Sequence, residues 1–452
     1  MRIGIAWECP WVSSSYGKLA LWLTSELLKM GVDVRLYCPS VPEYQLYSNF
    51  TLYSPSCVYR DIGVCVDLER PVEVYSSNWL CRDRDVDVYV ISGSPYGQVE
   101  SEWISRCSRV EKPVAGYFVT ESDIVPSLLA HWLLHVDAVG FTTRAVANAY
   151  LVHESVREIH GDWVLVPHGL PDYYYKFTSD AIIDCYFKLC EERGVKIRED
   201  PGVKLALESR SEGVLYGTVA KDHPRKDYGA LLAAFSRVKH SCVSEKLPFC
   251  DKIRVFLGFI RAVGVPTWLI NTIIQLLGLS SSDVLILDER LQESGISEFS
   301  LLFSYSLIDV FVFATMGEGF GLPPVEAGAL FKPVVVTKTP VTEEIWGGDY
   351  PLLVKSRPIV VSEGFILHVT DYVDLARKMS RLISRRYARR AGLSARRVAE
   401  KYTSKRMAEA FLKLVELARE KRGVKKPHPL REYRASDSPD YREIVLKALK
   451  LI

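Results

Sequence analysis

Gly317-Glu318-Gly319-Phe320-Gly321-Leu322-Pro323-Pro324-Val325-Glu326-Ala327 begins two residues after an apolar run, Val310-Phe311-Val312-Phe313-Ala314. The run reads as a buried strand and the glycines as a tight turn. The two prolines fit the first turn of a helix, where a missing N–H costs nothing. Strand, glycine-rich turn and helix form the repeating unit of an α/β protein. In such a unit Gly317, Gly319 and Gly321 lie where backbone N–H groups and a helix N-terminus meet an anion. Glu318 stands in the turn and Glu326 one turn into the helix. A carboxylate held there accepts two hydrogen bonds from vicinal hydroxyls, as on a ribose or a hexose. Phosphate donors and hydroxyl acceptors on one turn point to a nucleotide-sugar site.

Working outward, strand-like and helix-like runs alternate through the chain. The first half offers strands at Arg2–Trp7, Val32–Cys38, Val86–Ser92, Pro113–Val119, Ala138–Thr142 and Trp163–Val166. Leu19, Ala20, Leu23, Leu27 and Met30 mark the apolar face of the first helix. A second series, Val214–Val219, Ile253–Leu257, Val284–Leu287, Val310–Ala314 and Pro333–Thr337, begins after Gly213. The pattern predicts an α/β protein with two Rossmann-like domains, their parallel sheets facing across a cleft. The domains expected are 1–170 on the acceptor side, 171–212 as a hinge with an inserted helix, 213–400 binding the nucleotide sugar, and 401–452 as a crossover helix and tail.

Size agrees with this division, because 452 residues exceed the usual single core. Apolar residues at 48 % and charged residues at 25 % are ordinary for a globular protein, and a net charge of +2 gives no drive toward nucleic acid. Met1-Arg2-Ile3-Gly4-Ile5-Ala6-Trp7 is already strand-like and lacks a cleavage site, which predicts a cytoplasmic protein. Val263 to Leu279 is broken by Gly264, Pro266, Asn271 and Gln275 and makes a poor bilayer span. The ten cysteines show no metal spacing, and Cys185 and Cys190 lie too far apart on one helix to bridge. Asparagine and glutamine are scarce, which hints at a thermophile.

The string 317–327 resembles the paired-glutamate signature of the retaining glycosyltransferases of family four, which have the GT-B fold. The resemblance implies that Glu318 lies by the donor sugar, that Glu326 grips the ribose, and that the amides of Gly319, Phe320, Gly321 and Leu322 face sugar and phosphates. Tyr216-Gly217-Thr218-Val219-Ala220-Lys221-Asp222-His223-Pro224-Arg225-Lys226-Asp227 is similar to the family's phosphate-binding element. Lys226 matches its lysine. The family's arginine directly after the glycine is Thr218 here, leaving Lys221 as the first candidate for the missing partner and Arg225 as the second.

Three segments of the first half carry looser resemblances. Ser13-Ser14-Ser15-Tyr16-Gly17-Lys18 stands between the first strand and first helix, where Gly17 matches a glycine whose amide approaches the donor diphosphate and Tyr16 faces the cleft. Val166-Pro167-His168-Gly169-Leu170 resembles an element that structures the cleft wall, with His168 the residue able to touch ligand. Val119-Thr120-Glu121-Ser122-Asp123 ends a strand at the sheet edge where ligands gather, so Glu121 or Asp123 could orient an acceptor hydroxyl. A helix cap is an equal explanation for Asp123.

Two charged runs weigh against other chemistries. Asp83-Arg84-Asp85-Val86-Asp87 leads into a strand instead of following one, so it reads as a solvated strand entrance and no metal is expected. From Arg381 to Arg406 ten basic residues face one acid, Glu400. A solvated helix face explains them, and contact with anionic lipid, peripheral at the inner membrane face, or with a phosphorylated acceptor is the second reading.

The expected function is a retaining hexosyltransferase moving sugar from a nucleoside-diphosphate donor to a hydroxyl acceptor (glycan, lipid or small molecule), with no cofactor. Lys226 and Glu318 would be its catalytic residues. The alternatives are a nucleotide-sugar-binding subunit without catalysis, or another GT-B enzyme such as a phosphorylase or epimerase.

Overall fold

The computed structural model describes residues 1–10, 12, 14–39, 50–52, 68–221, 223–260, 268–286, 297–361 and 364–425. The first domain is built on an eight-stranded sheet. Its strands are β1 (Arg2–Ala6), β2 (Asp33–Cys38), β3 (Phe50–Leu52), β4 (Val72–Ser76), β5 (Val88–Gly93), β6 (Val114–Phe118), β7 (Ala138–Phe141) and β8 (Val164–Leu165), in the order β3-β4-β2-β1-β5-β6-β7-β8. All pairings are parallel except β3 with β4. Strands β5, β6 and β7 are buried throughout, as parallel strands covered by helices on both faces must be.

The second domain carries a six-stranded parallel sheet. Its strands are β9 (Val214–Lys221), β10 (Ile253–Ile260), β11 (Val284–Ile286), β12 (Val310–Phe313), β13 (Val334–Thr337) and β14 (Leu353–Val354), in the order β11-β10-β9-β12-β13-β14. Strands β9 and β12 are central neighbours, so the loops leaving their C-terminal ends meet. Those loops are the two segments that read as phosphate-binding and sugar-binding. A separate antiparallel hairpin, β15 (Ser356–Val360) with β16 (Ile366–Thr370), projects beside them.

The chain then returns to the first domain. Thr403 caps the helix Ser404–Glu420, and Leu170 and Thr403 form a parallel bridge at its start. Leu414 of that helix packs so closely on β7 that a Cβ at Gly140 would lie 2.7 Å from it. Phe411 meets the Tyr117 ring edge-on at 6.0 Å. Met407, Phe411, Leu414 and Val415 are fully buried. At about 1.5–3 kcal/mol for each large side chain removed from water, this helix is a principal tie between the domains.

Several expectations are corrected. The segment 171–212 holds two helices, Ser179–Glu192 and Pro201–Glu212, not one. The second is announced by Asp200-Pro201, an N-cap followed by a first-turn proline. Ser15 already begins the first helix, so Tyr16, Gly17 and Lys18 form its first turn and not a loop, with Ser14 as the cap. The hairpin β15–β16 went unpredicted because Pro358 within it argues against a strand, yet a two-stranded ribbon tolerates proline. Disulfides join Cys81 to Cys107 and Cys242 to Cys250, while Cys185 and Cys190 remain free. These pairs are spatial neighbours that no spacing rule reveals. The tail beyond residue 425 and the segment 287–296 lie outside the described residues. Of Val263 to Leu279, the helix Trp268–Leu276 is described; it buries Ile270 and exposes Leu269 and Leu276.

Candidate active site

Glu318 is the hub of the cleft. It is buried, and its Oε1 accepts from Arg225 at 2.8 Å, from the Thr315 hydroxyl at 2.6 Å, and from Lys226 Nζ. The short 3₁₀ turn Pro224–Lys226 after β9 presents both cations. Asp227 closes that turn at φ +39°, caps the following helix through Ala230 N–H, and accepts from Thr370 N–H. Burial alone would raise the Glu318 pKa, but Arg225 and Lys226 more than offset it and hold the carboxyl below its ordinary value. Lys226 goes the other way. Burial, then the neighbouring Arg225, push it down to about 8. Two cations on one buried carboxylate make a place where an added anion relieves repulsion.

Glu326 lies 2 % exposed on the helix Leu322–Ala329, whose N-cap Gly321 takes φ +89°. That left-handed conformation suits glycine. Tyr305 donates to Glu326 Oε2 at 2.6 Å, and Lys18 Nζ, from the first domain, reaches Oε1 at 2.5 Å. Lys18 also stands 3.4 Å from Glu298. The sequence analysis missed Lys18 as a site residue, although it falls inside the quoted Ser13–Lys18 string. Glu298, Tyr305 and Thr315 carried no sequence signal at all.

The first domain closes on this turn from the other side. Glu121 pairs with Arg225 at 3.3 Å, and the Thr142 hydroxyl donates to the Gly319 carbonyl. Two of the three glycines owe their identity to that approach. A Cβ at Gly317 would lie 2.0 Å from the Glu121 carbonyl oxygen, and one at Gly319 would lie 2.9 Å from Val119 Cβ. Asp123 caps no helix. It accepts from His368 Nε2 at 2.7 Å, and its N–H donates to the Ile366 carbonyl, tying the first domain to the β16 strand. Phe320 is buried between His168, at 5.0 Å between ring centroids, and Tyr402. His168 is itself buried against Tyr117, and burial lowers its pKa to about 3, so it is a neutral wall residue. Tyr16 stands close to Glu121, Arg225 and Tyr96; burial, then Glu121, raise its pKa.

Some expected residues are placed differently. The Gly17 amide donates to Ser14 Oγ at 3.0 Å, and a Cβ there would meet the carbonyl oxygens of Val12 and Cys9 at 2.3 and 2.8 Å. Gly17 therefore serves loop packing and helix capping. Lys221 is exposed at the end of β9, whereas Arg225 occupies the position beside Lys226. Leu322 is buried as the first helical residue. Asp83, at the entrance to β5, is held by Arg35 and by the Tyr37 hydroxyl at 3.0 Å. Among the described residues no group of three or more His, Cys, Asp or Glu has metal-binding geometry, and no helix is long and apolar enough to cross a membrane.

Two parallel-sheet domains, joined by a returning helix and meeting at this paired-glutamate turn, define a GT-B protein. Residues 294–414, which contain the turn, match the family model of glycosyl transferases group 1. Solved structures share the whole fold at low identity. The sucrose-phosphate synthase of Thermosynechococcus elongatus is 15 % identical with a TM-score of 0.61, covering 93 % of this chain and 98 % of its own. An α,α-trehalose-phosphate synthase (UDP-forming) of Burkholderia xenovorans, in complex with glucose-6-phosphate, is 11 % identical with a TM-score of 0.62, covering 92 % and 100 %. An E. coli structure titled trehalose-6-phosphate, bound with UDP-2-fluoro glucose, is 12 % identical with a TM-score of 0.60, covering 92 % and 99 %. No curated protein sequence matches this chain at a significant level.

Proposed function

We propose that this protein is a retaining glycosyltransferase that moves a hexose from a nucleoside-diphosphate sugar to a hydroxyl acceptor. The observation that carries the reading is the convergence of Lys226 and Arg225 on Glu318, in the turn that leads into the helix bearing Glu326. In this scheme Glu326 accepts the two ribose hydroxyls and Glu318 lies against the donor sugar. The bond between the sugar C1 and the diphosphate oxygen breaks, and the acceptor oxygen bonds to C1 on the same face. The acceptor proton leaves with the departing diphosphate. Lys226 and Arg225 meet the charge that grows on that leaving group, so catalysis is positioning plus electrostatic stabilisation. Arg225 takes the place of the family arginine that Thr218 lacks. Glu121 and Tyr16, across the cleft, orient the acceptor.

The trehalose-phosphate and sucrose-phosphate synthases named above support a sugar acceptor in a cleft of this shape. Arg386, Arg389, Arg390 and Arg397 are exposed on the helix Arg385–Ala399, and this face is the surface through which the protein would lie against an anionic membrane.

Steady-state kinetics beside a melting curve test the reading. Lys226→Ala is expected to cut turnover far more than stability, since its charge matters most as the diphosphate departs. A folded variant with undiminished turnover would return the 216–227 segment to a structural role. Donor binding with no transfer would favour the non-catalytic binding subunit.

A further inference from the structure

Lys18 belongs to the acceptor-side domain, in the first turn of the helix Ser15–Lys29, yet its ammonium lies between two carboxylates of the other domain. Glu326 Oε1 is 2.5 Å away and Glu298 Oε2 is 3.4 Å away. Each acid has its own hydroxyl partners. Tyr305 donates to Glu326 at 2.6 Å; Tyr173, at 3.0 Å, and Tyr174 donate to Glu298. The Lys18 ammonium also lies over the Trp22 ring, 5.1 Å from its centroid. Both oxygens of Glu326 are thus engaged, one by Lys18 and one by Tyr305. A ribose presenting two vicinal hydroxyls needs those same oxygens.

We propose that Lys18 is a cross-cleft positioning residue that gives up Glu326 to the donor ribose and shifts its pairing to Glu298. The inference rests on the reading of Glu326 as the ribose carboxylate. Removing a largely buried ammonium from its only carboxylate would be unfavourable. Glu298 removes that obstacle, because Lys18 is already within ion-pair distance of it and needs only a small side-chain adjustment. Burial pushes the Lys18 pKa down, but Glu298 and Glu326 together raise it above its ordinary value, so the group stays charged through the exchange. Ribose capture is then coupled to the ion pair that joins the first helix to the helix Glu298–Leu307.

Calorimetric titration of UDP, ADP and GDP into the full chain and three variants tests this, with melting curves to confirm folding. Lys18→Met removes the competitor and should tighten the nucleotide that binds wild type by about five-fold or more, the lower end of coupling between sites. Glu298→Gln leaves Lys18 wholly on Glu326 and should weaken it by a similar factor. In the double variant the Glu298→Gln effect should vanish, because there is no lysine left to redirect. A weaker nucleotide complex in Lys18→Met, or a Glu298→Gln loss that persists in the double variant, would overturn the exchange while leaving the ribose site standing. If none of the three nucleotides binds wild type, the ribose reading itself fails and the exchange with it.

Discussion

At the scale of single residues, the buried environment of Lys226 sets a pH dependence of definite sign. Burial and Arg225 lower its pKa from 10.5 to about 8. A bound diphosphate favours the charged form, so nucleotide affinity should fall as pH rises through about 8, by up to about tenfold per pH unit for one proton. Folding stability should move oppositely. The unfolded lysine keeps its proton up to 10.5, so the unfolded state binds more protons between about 8 and 10.5, and stability rises with pH across that window. Binding isotherms and denaturation midpoints over this range check both signs. Lys226→Arg, charged throughout, should flatten both slopes, and an affinity that rises with pH would contradict the placement of a titrating cation at the phosphates. Glu318, Glu326 and Lys226 were legible in the sequence because glycine, proline and charge fall at fixed offsets around a turn. Arg225 ranked second behind Lys221 because linear spacing cannot show that β9 continues to Lys221 and leaves that side chain exposed, while the turn Pro224–Lys226 aims Arg225 inward.

The paired-glutamate turn owes its shape to contacts from the opposite domain as much as to its own backbone. The glycines of 317–321 suggested amides free to meet an anion, but the first of them is already engaged. The Gly317 N–H donates to Thr315 Oγ1 at 3.4 Å, and its carbonyl accepts from Arg225 at 3.0 Å. A Cβ at Gly317 would press on the Glu121 backbone carbonyl, which cannot rotate away as a side chain could. Gly317→Ala should therefore destabilise the protein by about 1–3 kcal/mol, the usual cost of overpacking, and it should shift Glu121 away from Arg225. A melting curve without loss would contradict the close approach of the two domains at this turn. The long apolar strands were readable from composition and period. Strands β3, β4 and β14 and the β15–β16 hairpin were not, being short, half-exposed or interrupted by proline, so that tertiary pairing alone defines them.

At the scale of the whole molecule, the alternation of strands and helices and its renewal after Gly213 made the two-domain α/β plan legible. Contacts between the domains were not, because each joins residues far apart in sequence. Lys18 with Glu326, Glu121 with Arg225, Asp123 with His368, and Glu344 accepting from the N–H groups of Arg144 and Ala145 at 2.8 Å all span the cleft. These pairs hold the two domains against each other across the cleft. The most direct measurement is the configuration of the transferred sugar, read from the anomeric proton of the product, with a divalent-ion chelator in excess. With an α-linked gluco-configured donor, the predicted result is an α-linked product showing the small coupling of that anomer, formed at an undiminished rate because Lys226 and Arg225 hold the diphosphate. A β-linked product would contradict retention, and a rate abolished by the chelator would contradict a leaving group stabilised by these two side chains.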